Sequence, residues 1–183
     1  MLPSVVSLVA GKPIAGSWWG HPSGGAIYRE IMKLANRSDV VLLKLLNGKV
    51  TFVLDTLWPQ VYAVGCCGEP WQVNGLNPQS LRLLELVRRH GLIRTDDPRS
   101  RVAAGPQVSV AALHLERRLL VVGTQVHTES GRHAKSLESW PHWSRRKKLA
   151  SRVPTARAKA ELAQRVASLN ADFKARARLP WAT

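Results

Sequence analysis

The sequence predicts an α+β fold, and three features predict it. Two apolar runs flank Asn47-Gly48, the pair preferred in two-residue type I′ hairpins. A helical stripe, a short extended piece, a second helical stripe and a longer hairpin then follow one another over residues 78–140. Finally, Leu162, Val166, Leu169 and Phe173 recur at helical spacing, so an amphipathic helix closes the chain.

In chain order, residues 1–15 are mildly apolar and carry no Lys or Arg before Lys12. They lack the basic front of a secretory signal and read as a loose lead or a first packing segment. Gly16-Ser17-Trp18-Trp19-Gly20-His21-Pro22 is a stiff aromatic turn, and Pro22 and Ser23 suit the start of a helix carrying Ile27, Ile31 and Leu34. Gly24 and Gly25 weaken the front of that helix, or let another backbone or a ligand come close. In the hairpin of residues 40–54, pairing Leu46 with Lys49 sets Leu45 against Val50, Leu43 against Phe52 and Val41 against Leu54. That face is apolar throughout and should be the buried one. Residues 57–64 read as a short helix, and 65–77 as a connection with at most one helical turn.

The second half begins with a helix over residues 80–90, its stripe Leu81, Leu84, Leu86 and Val87, capped by Gly91. Leu92-Ile93-Arg94 is extended, and residues 99–107 are loop or a short helix. A helix over 108–118, with His114, Arg117 and Arg118 on its exposed face, feeds Leu119-Leu120-Val121-Val122. The turn at residues 128–132 returns the chain through His133 to Trp140. Helix, short strand, helix and long hairpin is the order of a winged helix. The expected units are residues 1–68 (helix and β-hairpin), 69–143 (winged helix) and 144–183 (basic linker and C-terminal helix, with Thr155 as N-cap).

Charge bounds the partners. With 27 Lys and Arg against 12 Asp and Glu, the net charge is +15 and the isoelectric point about 11.1. Such an excess favours polyanions, nucleic acid first, through phosphate contacts and counterion release. An acidic protein or an anionic membrane surface is the alternative. Residues 141–183 hold eleven of the basic residues and only two acids, Glu161 and Asp172. The phosphate-contacting candidates are Arg117, Arg118, Arg132, Lys135, Arg145, Arg146, Lys147 and Lys148. Hydrophobic residues make up 45% of the chain, enough for a real core. No run approaches the ~20 apolar residues of a membrane span. The two cysteines, Cys66 and Cys67, are adjacent and make no disulfide framework, which suits a reducing cytoplasm; they read as small buried residues near a helix end.

Reaction chemistry is not legible. There is no phosphate loop, no dinucleotide-binding glycine pattern and no nucleophile elbow. His127 and His133 straddle a turn without the further ligands a metal needs, so no metal and no cofactor are expected. His127-Thr128-Glu129 has the His-x-Glu of zinc deaminases, but no Pro-Cys-x-x-Cys follows it. The tryptophans are expected mostly in cores and interfaces. Trp18 and Trp19, beside His21, are the best candidates for a small pocket.

Glu116-Arg117-Arg118-Leu119-Leu120, His127-Thr128-Glu129-Ser130-Gly131-Arg132-His133-Ala134-Lys135 and Leu137-Glu138-Ser139-Trp140 form one set of distinctive groups. Ser17-Trp18-Trp19-Gly20-His21-Pro22 and Lys49-Val50-Thr51-Phe52-Val53 form another. Together they resemble a small uncharacterised bacterial winged-helix family related to the crosslink-repair DNA glycosylases of the AlkZ type. The resemblance covers most of residues 17–181 and implies DNA as partner and repair as the setting. Those glycosylases are tandem winged helices with a Gln-x-Gln catalytic motif. Here Gln60, Gln72, Gln79, Gln107, Gln125 and Gln164 stand alone, so the resemblance implies no catalysis.

The expected function is nucleic-acid binding by a cytoplasmic bacterial protein, DNA rather than RNA. The alternatives are an enzyme, glycosylase-like or other, with a pocket near Trp18, Trp19 and His21, or a protein–protein interaction module. Oligomeric state is left open.

Overall fold

The computed structural model describes residues 2–127, 133–149 and 153–182. Among these residues the fold is mixed α+β, with two small antiparallel sheets and a C-terminal helix. Helix α1 (Val5–Ala10) opens the chain, held by a reciprocal pair of hydrogen bonds in which Ser4 and Ser7 cap one another. Helix α2 (Gly24–Ala35) buries Ile27, and strands β1 (Val40–Leu46) and β2 (Lys49–Leu54) follow.

The β1–β2 turn is the one the sequence announces: Asn47 and Gly48 sit at φ of 52° and 66°, as a type I′ turn requires. The register is not. Leu46 pairs with Lys49, but Leu43 then pairs with Thr51, Leu42 with Phe52, Val41 with Val53 and Val40 with Leu54. A bulge at Lys44 and Leu45 inserts one residue and turns β2 over. Val53 is therefore buried, whereas Val50 and Leu54, expected inside, are exposed. Thr51 explains the slip locally: its hydroxyl accepts the Leu46 N–H at 3.2 Å and donates to the Lys49 carbonyl. A side chain thus replaces a backbone partner.

After a 3-10 turn at Asp55–Leu57 come helix α3 (Trp58–Gly65), the single turn α4 (Pro70–Val73) and helix α5 (Pro78–His90). Asn77 caps α5, and Gly91, at φ 77°, ends it as expected. The buried stripe of α5 is Leu83, Leu84 and Val87, while Leu81, assigned to it from spacing, is exposed. Strand β3 (Leu92–Arg94) leads to helix α6 (Pro98–Ala104), a 3-10 turn and helix α7 (Val108–Arg117). Strands β4 (Val122–His127) and β5 (His133–Glu138) complete a three-stranded sheet ordered β3-β5-β4.

Two helices follow. The first, α8 (Trp140–Arg146), has no counterpart among the expected elements; Pro141 stands in its first turn, where a proline's missing N–H costs the helix nothing. The second, α9 (Thr155–Asp172), begins at Thr155, with Pro154 rather than Thr155 in the capping position. Its buried seam is Ala158, Leu162 and Val166; Leu169 and Phe173 lie exposed beyond it. Among the described residues, no helix is long and apolar enough to cross a membrane.

Among the described residues two apolar cores result. The first joins β1, β2, α3 and α9 to Trp140 and Trp143, whose rings meet edge to face at 5.4 Å. The second joins α5, α6, α7, Ile93 and Leu137. The chain between α7 and β4 serves both: Leu119 and Val122 enter the first core, Leu120 and Val121 the second. Leu119 does so in the left-handed conformation at φ 51°, unusual for a branched residue, and its carbonyl accepts the Trp140 Nε1–H at 2.6 Å.

Candidate nucleic-acid interface

Nine of the twelve acids stand in ion pairs among the described residues, so the basic surplus is what remains after local neutralisation. The pairs decide which of the expected phosphate contacts are available. Arg118 is half-buried, and its Nη1 donates to the carbonyls of Trp71, Gln72 and Asn74 at 2.8, 3.3 and 2.7 Å. Buried Gln72 answers by donating to the Arg118 carbonyl. Lys135 is ion-paired to Glu116, which is nearly buried. Arg146 grips buried Glu138 with two hydrogen bonds of 3.0 and 2.6 Å, while His142 Nδ1 lies 2.7 Å from the same carboxylate. Burial pushes the Glu138 carboxyl upward, but Arg146 and His142 outweigh it and hold the group below its usual range. Lys147 donates to the Ser38 carbonyl and lies 4.6 Å from the centre of the Trp58 ring; burial lowers its pKa.

Arg117, Arg145 and Lys148 remain exposed. Arg132 lies outside the described residues, with the rest of the turn at 128–132. The run at 145–148 is therefore split. Two of its members brace the fold and two face solvent: α8 ends at Arg146, and the chain turns out of the helix through Lys147 and Lys148, the latter at φ 53°.

Arg117 has company that the sequence did not reveal. It ends α7 beside the hairpin turn, where a Cβ on Gly48 would lie 3.5 Å from its Nε. The C-terminal tail is fastened to the same turn. Asn47 N–H donates to the Arg178 carbonyl, and Arg178 N–H donates to Asn47 Oδ1, both at 2.9 Å. Exposed Lys49 follows Gly48 directly, so Lys49, Arg117 and Arg178 gather at one corner. Lys44, half-buried behind it, is lowered in pKa first by burial and then feels Glu116, Lys135 and Arg117. Lys49 and Arg178 were missed because nothing local links residue 47 to residue 178. His114, expected on the exposed face of α7, is half-buried.

The aromatic turn has a different character. Trp18 and Trp19 stack at 4.1 Å, Tyr28 lies 5.9 Å from Trp19, and Trp19 is 68% exposed. His21 Nδ1 accepts the Ser23 N–H at 3.1 Å. Gly24 sits beneath the Trp18 and Trp19 carbonyls, where a Cβ would come within 3.2 and 3.1 Å; the close approach it permits is that of backbone. A cleft of about 500 Å³ lies elsewhere, between α3, α5 and α8. At its edge Cys66 is exposed; Cys67, the next residue in the chain, is half-buried. They do stand at the end of α3, but Cys66 caps it from the surface rather than being buried.

Among the described residues no group of three or more His, Cys, Asp or Glu is arranged to hold a metal ion. Compared with protein-family models, curated proteins and solved structures, the chain matches none. The resemblance to the small winged-helix family related to the AlkZ-type glycosylases therefore rests on the sequence groups alone.

Proposed function

We propose that the protein binds nucleic acid, DNA in preference to RNA, through backbone phosphates, with α5 to β5 acting as a winged helix. The succession α5, β3, α6, α7, β4, β5 and the sheet order β3-β5-β4 support that assignment. In such a unit the last helix and the β4–β5 connection are offered to the duplex. The observation that carries the proposal is the corner at the end of α7, where Lys49, Arg117 and Arg178 are all exposed. Arg145, Lys148 and Arg132 add to the field, while Arg118, Lys135, Arg146 and Lys147 hold the scaffold. Free Cys66 and Cys67 suit a reducing cytoplasm. The family resemblance makes repair the process in which to seek the binding.

The test is fluorescence anisotropy with a labelled random-sequence DNA duplex across a salt series, alongside the triple variant Lys49→Ala, Arg117→Ala, Arg178→Ala. The wild type should show a steep log–log slope, made shallower in the variant by about one per lost contact. An RNA duplex of the same sequence should bind more weakly, and a lesion-bearing DNA duplex more tightly. No DNA binding at ~50 mM salt, where even non-specific contacts hold, overturns the proposal.

A further inference from the structure

The cleft between α3, α5 and α8 carries its own charge pattern. Arg88, Arg89 and His90 from the last turn of α5 face His142 and Arg145 of α8 across it, and Cys66 stands at its edge. Among the described residues, no carboxylate lines it. Basic residues in a last turn complement a helix dipole, which accounts for the three on α5. That does not account for Arg145 and His142 approaching from a second helix. Glu138, the acid bonded to His142, is also spent on Arg146. Arg89 has a loose 3.5 Å pair with Glu85, but neither Arg88 nor Arg145 has a carboxylate partner among the described residues. The walls are fixed: Gly91 at φ 77° passes so close under the His142 ring that a Cβ would lie 2.7 Å from Cδ2. Like charges held around one concavity repel unless an anion enters.

We infer that this cleft is a binding site for a phosphate monoester carried by a nucleotide. Several guanidinium forks match the geometry of phosphate oxygens, and a nearly dianionic monoester answers the clustered charge better than a singly charged diester. A volume of about 500 Å³ admits a nucleotide. The nucleotide is either free or the 5′ end of a strand. The site uses none of the corner around Gly48 and shares only Arg145 with the field assigned to duplex binding, so the triple variant at that corner leaves it intact.

Cys66 supplies the reporter. In a Cys67→Ser protein, which keeps a hydroxyl donor toward Gln72, the rate of Cys66 alkylation by iodoacetamide is followed at constant ionic strength. The additions are adenosine 5′-monophosphate, adenosine, and a single-stranded DNA oligonucleotide with or without a 5′-phosphate; isothermal titration accompanies each. The 5′-phosphorylated ligands should bind and slow alkylation several-fold; adenosine should do neither, the 5′-hydroxyl strand, held only through its backbone, should leave alkylation unslowed, and Arg88→Gln with Arg145→Gln should abolish the protection without shifting the melting temperature. Protection by the monophosphate and the phosphorylated strand alike supports the site for either source. Protection by the phosphorylated strand alone assigns it to strand ends, and by the monophosphate alone to a free nucleotide. Equal protection by the 5′-hydroxyl strand, or neither binding nor protection by any phosphorylated ligand, overturns the inference.

Discussion

Arg118 and Arg117 are neighbours with opposite employment, and only the path of the backbone separates them. Arg117 closes α7 at the surface, whereas Arg118, one step past it, reaches three carbonyls of the α4 segment. Arg118→Met keeps most of the stem but leaves those carbonyls without their cation. It should cost about 2–3 kcal/mol of stability in urea denaturation, in the range of hydrogen bonds to charged groups, while the salt slope of DNA binding stays that of wild type. A stable variant with a shallower slope would return Arg118 to the phosphate contacts. Glu138 supports a pH prediction. Its carboxyl is held below the usual range in the fold, so its contribution is present above the carboxylate value of the unfolded chain and is lost as pH falls through the depressed folded value. The stability gap between wild type and Glu138→Gln, measured by thermal melting, should therefore be widest near neutrality and narrow as the solution is acidified. A gap that stays constant into acid would mean that ionised Glu138 does not matter. At this scale the sequence revealed residue types and not their partners: Lys159 finds Glu69, and Lys147 finds Ser38, only through the folded chain.

Elements were more legible than their edges. The Asn47-Gly48 turn was readable because φ is positive at both residues and few residue pairs tolerate that. The register was not readable from the turn, because the apolar runs on both strands are nearly continuous: Val50, Phe52 and Val53 could supply either face. The deciding group was the Thr51 hydroxyl. Thr51→Val keeps the shape and removes the acceptor for the Leu46 N–H, so it should destabilise the protein by about 1 kcal/mol in chemical denaturation. An unchanged midpoint would show that water serves the Leu46 N–H equally well. Helix α8 was lost for a related reason: Trp140, Pro141 and Trp143 look like a strand end and a breaker, yet proline in a first turn starts a helix. The stripe of α9 was read correctly in period and too far in extent, since the core it meets ends at Val166.

At the scale of the molecule, composition announced a basic protein with a real core, and the structure adds how its two cores are joined. The sequence suggested a boundary near residue 68, where glycines and prolines interrupt the pattern. Trp140 and Trp143, from beyond that boundary, nevertheless pack with β1, β2 and α3. The residues from Leu119 to Val122 are divided between the cores, the outer two in the first and the inner two in the second, and Leu119 accepts the strain of a left-handed backbone to take its place. Such a joint should make the cores unfold together. Tryptophan fluorescence reports chiefly on the first core through Trp58, Trp140 and Trp143, and far-ultraviolet dichroism on helices of both. The two denaturation curves should coincide. Leu119→Ala empties a fully buried site, so it should lower stability by about 2–5 kcal/mol and shift both curves equally. If fluorescence shifted alone, the cores would be independent units, and the basic corner of Lys49, Arg117 and Arg178 would be held by a contact between domains. Its phosphate slope would then fall as the first core melts, before the second core unfolds.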